Sequence, residues 1–212
     1  MTKNDRPAFG FEVLKQDGAA RRGRVTSGFG VVDTPAFMPV GTAASVKAMM
    51  PEQVASTGAQ IILSNTYHLM LRPGPERVER LGGVRKLMGW DGPLLTDSGG
   101  FQVMSLGPLR KISEQGVSFK SHLDGSIFDL TPERSTQIQH MLDATITMAF
   151  DECTPFPATY DEARASMELS MRWAARSRSA YVARTGYGQF GIVQGSVFED
   201  LRHQSIKALT DI

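Results

Sequence analysis

Short apolar runs that stop abruptly on small or polar residues recur along the chain: AFMPVGT (36–42), IILSNTY (61–67), LLTDSGG (94–100), ITMAFDEC (146–153) and FGIVQGS (190–196). Each is too short for a helix and too uniformly apolar for a strand with one wet face. Each therefore predicts a buried strand with its polar residues gathered at the carboxyl end. Between the runs the period lengthens to that of a helix. Pro51-Glu52-Gln53 puts proline at a first helical position, with Gly58 as a stop. Gly74-Pro75-Glu76 opens a second helical segment carrying Val78, Leu81, Leu87 and Met88, and Thr131-Pro132-Glu133 opens a third. Asp161 starts a long fourth, with Met167, Met171 and Ala174 on one face. Ser196-Val197-Phe198-Glu199 is a capping-box pattern for a fifth, with Val197, Leu201 and Leu209 at helical spacing.

Near-continuous apolar strands alternating with helices predict a parallel sheet covered on both faces. An open doubly wound sheet would prefer a glycine-rich phosphate loop after its first strand, and Val40-Gly41-Thr42-Ala43-Ala44 is not one. The expected fold is therefore α/β, a TIM-type (β/α)8 barrel, in which chemistry collects at the carboxyl ends of the strands. Two antiparallel additions are expected. Phe11-Glu12-Val13-Leu14, a Gln16-Asp17-Gly18 turn and Gly23-Arg24-Val25-Thr26 read as an N-terminal hairpin. Residues 116–128, with Asp124-Gly125 between alternating flanks, read as a hairpin inserted at the catalytic rim. Five strand–helix units are visible, where a closed barrel needs eight. Residues 1–212 are thus expected to form the N-terminal part of a single barrel, truncated after about five units.

Composition narrows the classes. With 41% hydrophobic and 21% charged residues the chain reads as an ordinary globular protein, and a net charge of +1 neither suggests nor excludes a nucleic-acid partner. The single cysteine, Cys153, excludes a disulfide or a multi-cysteine zinc cluster within these 212 residues. The start, MTKNDRPAFGFEVL, has no apolar signal core, and no apolar run approaches the length of a membrane span. A cytoplasmic, membrane-free protein is the expectation.

Chemistry concentrates where the runs end. Asp97 follows a core strand directly, and Ser98-Gly99-Gly100 reads either as an ordinary solvated turn or as a site where backbone N–H groups come close to a bound group. Phe101 and Gln102, read as part of the same loop, offer an aromatic face and an orienting amide. Asp151-Glu152-Cys153 follows Met148-Ala149-Phe150, so the Asp151 carboxylate is expected to be partly buried and to need partners. The parallel N1–H and N2–H donors of guanine would serve. Gln194 can both donate and accept, and so could read a purine O6, whereas Ser196 reads as a helix cap. Asn65, Thr66, Tyr67 and His68 end the second run, where His68 is as readily a rim residue as a catalyst. His122, His140 and His203 lack ligand spacing. Arg172, Arg176, Arg178 and Arg184 form a basic stretch with no acid between Glu168 and Glu199, either a solvated face or a phosphate contact. Arg21, Arg22 and Arg24 read the same way.

The segments LLTDSGGFQV, SNTYHLMLRPG, MAFDECTP and GIVQGS, with AFMPVGT, GAQIIL, TPERS and SMRWAARSR around them, resemble the bacterial tRNA-guanine transglycosylases (queuine tRNA-ribosyltransferases) from about Phe11 to Ile212. The resemblance implies exchange of guanine at the anticodon wobble position of GUN tRNAs (those for Asp, Asn, His and Tyr) for preQ1, through a ping-pong covalent enzyme–RNA intermediate. It implies Asp97 as general acid/base and Ser98, Gly99, Gly100 and Phe101 as walls of the base pocket. It also implies Asp151 on the N1/N2 edge, Gln194 on the O6 side, and Asn65 and Gln102 as orienting residues. The family's aspartate nucleophile and its structural zinc site, a Cys-x-Cys-x-x-Cys…His pattern, are expected downstream, with no metal ligands in this chain, and a homodimer is implied for the full-length form. The 212 residues alone are expected to be inactive and poorly folded, because an open parallel sheet exposes strand edges. The competing readings are a truncated or accessory paralogue that binds RNA or a partner subunit without chemistry, an archaeal-type enzyme acting with preQ0, and an unrelated barrel hydrolase.

Overall fold

The N-terminal alternation folds as an antiparallel sheet of β1 (Gly10–Asp17), β2 (Ala20–Ser27) and β3 (Gly30–Thr34), in that order. The structure, a computed structural model, describes residues 6–105 and 110–212. Pairing shifts register between Val13 and Lys15, so Leu14 is the extra residue of a bulge, which explains why Val13-Leu14 breaks the alternation. The third strand, carrying Val31 and Val32, extends the expected hairpin.

The chain divides into two compact units. One holds the chain up to Asp97 with Gln139–Thr147 and Val182–Gly188; the other holds Ser98–Ile138, Met148–Tyr181 and Gln189–Ile212. In the first unit α1 (Pro51–Ser56) begins on the expected proline. Next come β4 (Ile62–Ser64), α2 (Thr66–Leu71), α3 (Pro75–Arg80), α4 (Val84–Met88) and β5 (Leu94–Thr96). The second helical segment is thus two helices. Gly82 and Gly83 both take φ of 90°, and a Cβ on Gly83 would lie 2.6 Å from Asp143 Cβ, so the chain turns where a side chain would not fit.

The second unit begins with α5 (Gly100–Ser105), which places Phe101 and Gln102 on a helix rather than on the expected loop. A second antiparallel sheet follows, of β6 (Arg110–Ser113), β7 (Gly116–Lys120) and β8 (Ile127–Leu130). The expected Asp124-Gly125 hairpin joins β7 to β8, and β6 is its additional strand. Then come α6 (Pro132–Met141), β9 (Ile146–Met148), α7 (Tyr160–Ala180), β10 (Gly188–Phe190) and α8 (Glu199–Thr210). The expected buried strands form a four-stranded sheet of order β10-β9-β5-β4, in which β4, β5 and β9 run parallel. Their side chains are core: Ile62 and Leu94 are fully buried, and Ile146 nearly so.

Three expectations about element ends are corrected. The first apolar run contributes only a parallel bridge, Val40 with Leu63. Pro35 and Pro39 lack the N–H groups that a ladder needs there. The strand of the fifth run precedes it, ending at Phe190, and leaves Gln194 outside any ladder. Ser196 does not cap α8. It sits at φ 51°, and the N-cap is Phe198 without a side-chain bond. The neighbouring Gly195 (φ 119°) backs so closely on the helix that a Cβ would lie 2.7 Å from Arg202 N. A true capping box forms instead at Thr159 and Glu162, at the start of α7.

The basic stretch is largely committed to acids that the sequence keeps far away. Arg172 pairs with Glu114 at 2.8 and 2.9 Å, and Arg176 pairs with Glu133 at 2.7 and 2.8 Å. In the first unit Arg184 reaches Asp143 at 3.0 Å, and Arg24 reaches Asp33 at 2.8 Å. The bond from Arg176 holds the Glu133 carboxyl down at about 2, against an ordinary 4.5. A carboxyl depressed in the folded state stabilises fully above its unfolded value, and that contribution is lost as pH falls from 4.5 toward 2. Arg176→Ala is expected to flatten the pH dependence of the urea midpoint across this window. An unchanged slope in urea titrations over the same pH range would count against the pairing.

Candidate functional site

Each unit, taken by itself, holds a carboxylate just after a strand. In the first, β5 ends on Asp97, whose N–H donates to Ser64 O at 3.2 Å in continuation of the β4–β5 ladder. Its carboxylate lies at the start of α2. Oδ1 accepts from Thr66 N at 2.8 Å, and Oδ2 accepts from Asn65 Nδ2. Thr66 Oγ1 donates to the Asp97 carbonyl at 2.6 Å. Asn65 and Thr66 are buried, so the acid is oriented by groups that are themselves fixed. Asn65 is here a partner of the Asp97 carboxylate, and Thr66 is a second partner that sequence reasoning named without giving it a role. His68 lies on α2 with its ring edge-on to Tyr67, centroids 5.2 Å apart.

In the second unit Asp151 is 6% exposed, more deeply buried than the partial burial its apolar approach predicts. Two neutral groups donate to it: Ser98 Oγ to Oδ1 at 2.8 Å, and Gln194 Nε2 to Oδ2 at 2.7 Å. Ser98, Asp151 and Gln194 are thereby brought together from three separate chain segments. Gly100 completes the arrangement. Its N–H donates to Ser98 Oγ at 3.2 Å, and a Cβ there would lie 2.4 Å from Asp151 O and 2.9 Å from Asp151 Oδ1. The glycine is required by this close approach. Gly99 takes φ of 87° at the turn into α5. Phe101 is 61% exposed and offers a free aromatic face, whereas Gln102 is half-buried on the same helix.

A carboxylate oxygen has about two lone-pair directions and an amide nitrogen two hydrogens. Asp151 thus presents both carboxylate oxygens as acceptors of N–H or O–H groups. Gln194 retains one N–H for an acceptor alongside. Burial, followed by the Asp151 charge, pushes the neighbouring Cys153 thiol up to about 11, so this cysteine is a poor nucleophile.

Among the described residues no three His, Cys, Asp or Glu side chains gather to hold a metal ion. No described helix is long and apolar enough to cross a membrane.

Comparison with known proteins adds a lineage to this geometry. Residues 16–212 match the family model described as queuine tRNA-ribosyltransferase. The chain is 63% identical over 204 residues to the queuine tRNA-ribosyltransferase of Rickettsia felis, and 62% identical over 204 residues to that of Rickettsia akari. Each alignment covers 96% of this chain and 56% of the relative. The chain therefore spans little more than half the length of these relatives.

Proposed function

The chain belongs to the queuine tRNA-ribosyltransferase family, and on that premise we propose that it carries the purine-reading part of a tRNA-guanine transglycosylase. The proposed reaction replaces guanine at the wobble position of GUN tRNAs with preQ1. The observation that supports it most directly is the buried Asp151 carboxylate, held between the neutral donors Ser98 and Gln194. Such a group prefers a ligand bearing two parallel N–H donors, and the N1–H and N2–H edge of guanine or a 7-deazaguanine has that form. Gln194 would give its remaining N–H to O6. Phe101 would stack on the base, Gly99 and Gly100 would admit it, and Gln102 would help to orient it.

In this reading a carboxylate nucleophile, expected outside these residues, attacks ribose C1′ and the C1′–N9 bond breaks with its electron pair on the purine. Asp97 delivers the proton that the departing guanine takes up. It then receives the N9 proton of the incoming base as that nitrogen attacks C1′ and expels the enzyme carboxylate, restoring the starting state. The wobble nucleotide must be extruded from its stack to reach the site.

The remaining carry-overs share this footing: a (β/α)8 barrel, a homodimer of the full-length form, a cytoplasmic setting, and a structural zinc bound by residues outside this chain. The test is exchange of radiolabelled guanine into a GUN tRNA by the full-length protein. Asp97→Ala is expected to abolish exchange, and wild-type exchange in that variant would refute the assignment.

A further inference from the structure

Beyond Met148 and Phe190 the strands β9 and β10 have ended, yet Asp151 and Gln194 lie three and four residues farther on. After Ala149 N, which still donates to Phe190 O at 2.8 Å, the sheltered backbone amides need acceptors outside the ladder. Helix serines supply them. Phe150 N donates to Ser177 Oγ at 3.0 Å and Glu152 N to Ser170 Oγ at 2.9 Å, so the amides on both sides of Asp151 are tied to α7. Gln194 N donates to Ser205 Oγ of α8 at 3.0 Å. From α6, Ser135 Oγ donates to Ser98 O at 2.7 Å. All four serines are essentially inaccessible, at 0 or 1% exposure. Each of the three residues that meet at the Asp151 carboxylate is therefore fixed, at its own or a flanking peptide group, by a buried hydroxyl from a different helix.

We propose that Ser135, Ser170 and Ser205, with Ser177 supporting Ser170, are positioning residues that hold Ser98, Asp151 and Gln194 in register for reading a guanine-type base. The inference rests on the proposed function above. None of these serines touches the base. They act by placing three polar side chains where small displacements cost paired hydrogen bonds. Alanine is nearly isosteric with serine, so the core stays filled, and what is lost is the acceptor for a loop amide or, at Ser135, the donor to the Ser98 carbonyl. The freed loop can then satisfy that amide only by shifting, and the shift moves the carboxylate or the amide side chain it carries.

The test uses the full-length protein and calorimetric titration with guanine and with hypoxanthine, which lacks the N2 amino group. Ser170→Ala and Ser205→Ala are expected to weaken guanine binding about fivefold each and to narrow the preference for guanine over hypoxanthine. Ser205→Thr, which keeps the hydroxyl, is expected to restore the preference. Ser27 is equally buried but tied to Gly30 O in the β2–β3 turn, so Ser27→Ala is the matched control. It should lower the melting temperature and leave both affinities alone. In a Gln194→Ala background Ser205→Ala is expected to have no further effect on affinity. Because Ser135, Ser170 and Ser205 sit on separate helices, misfolding of one of their variants leaves the others readable. Wild-type affinity and preference in the serine variants, or full additivity of Ser205→Ala with Gln194→Ala, overturns the proposal. Asp151→Asn separates the two readings. If it too leaves guanine binding intact, the proposed function fails, whereas its loss beside unchanged serine variants sinks the positioning role alone.

Discussion

Replacing Asp151 by asparagine in the full-length protein is expected to lower guanine affinity by roughly two to three orders of magnitude. The carboxylate presents two acceptors; an amide presents one acceptor and one donor. Whichever way the amide turns, an N–H faces either the ligand or one of the present donors, Ser98 Oγ and Gln194 Nε2. The loss thus combines a charge-assisted hydrogen bond, worth about 1.5–3 kcal/mol, with a mispaired buried donor costing about 1–3 kcal/mol. Stability should move the other way or hardly at all, since a buried charge has been removed. Calorimetric titration with guanine, set beside a thermal melt, separates the two. Wild-type affinity in Asp151→Asn would mean that the buried carboxylate is structural.

The second large effect is expected from one methyl group. At an ordinary position near a helix start, Gly→Ala would gain up to about 1 kcal/mol through helix propensity. At Gly100 the new Cβ would stand 2.4 Å from the Asp151 carbonyl oxygen and 2.9 Å from Oδ1, with Ser98 Oγ at 3.3 Å. The nearest atom is backbone, so relief requires the Asp151 loop or α5 to move, at a cost of about 1–3 kcal/mol. Repulsion outweighs propensity. Gly100→Ala should therefore melt earlier than wild type and bind guanine far more weakly. A raised melting temperature with unchanged binding would show that the approach of Gly100 to Asp151 is not close.

The sequence made the carboxyl ends of the strands legible, because Asp97 and Asp151 each interrupt an apolar run. Their partners were less so. Ser98 and Gln194 lie 53 and 43 positions from Asp151, and no local period connects them. The same distance hides the acid partners of Arg172 and Arg176, so a stretch without acids in the chain is a paired surface in space. Both α2 and α5 have six residues, too few for a helical period to emerge, which is why Phe101 and Gln102 read as loop. The strand β10 is Gly188-Gln189-Phe190, almost without apolar content, so the more hydrophobic residues after it drew the assignment forward. Serines on the buried faces of helices gave no signal, since polarity at helical spacing ordinarily marks the solvent side. The buried hydroxyls that brace Asp151 and Gln194 are therefore a tertiary fact.

Helix α7 takes part in two attachments at once. Toward one side its Arg172, Arg176 and Trp173 grip the Glu114-Gln115 turn, with the Trp173 indole N–H on Glu114 O at 2.9 Å and Arg176 on both carbonyls. Toward another, Ser170 and Ser177 hold the peptide groups around Asp151. An α-helix of 21 residues is a stiff rod about 30 Å long. Both attachments fall within the two turns from Ser170 to Ser177, so a displacement of the turn between β6 and β7 would pass across the rod rather than along it. A substitution at Glu114 is therefore expected to loosen the peptide groups around Asp151, although no atom of Glu114 need approach a ligand.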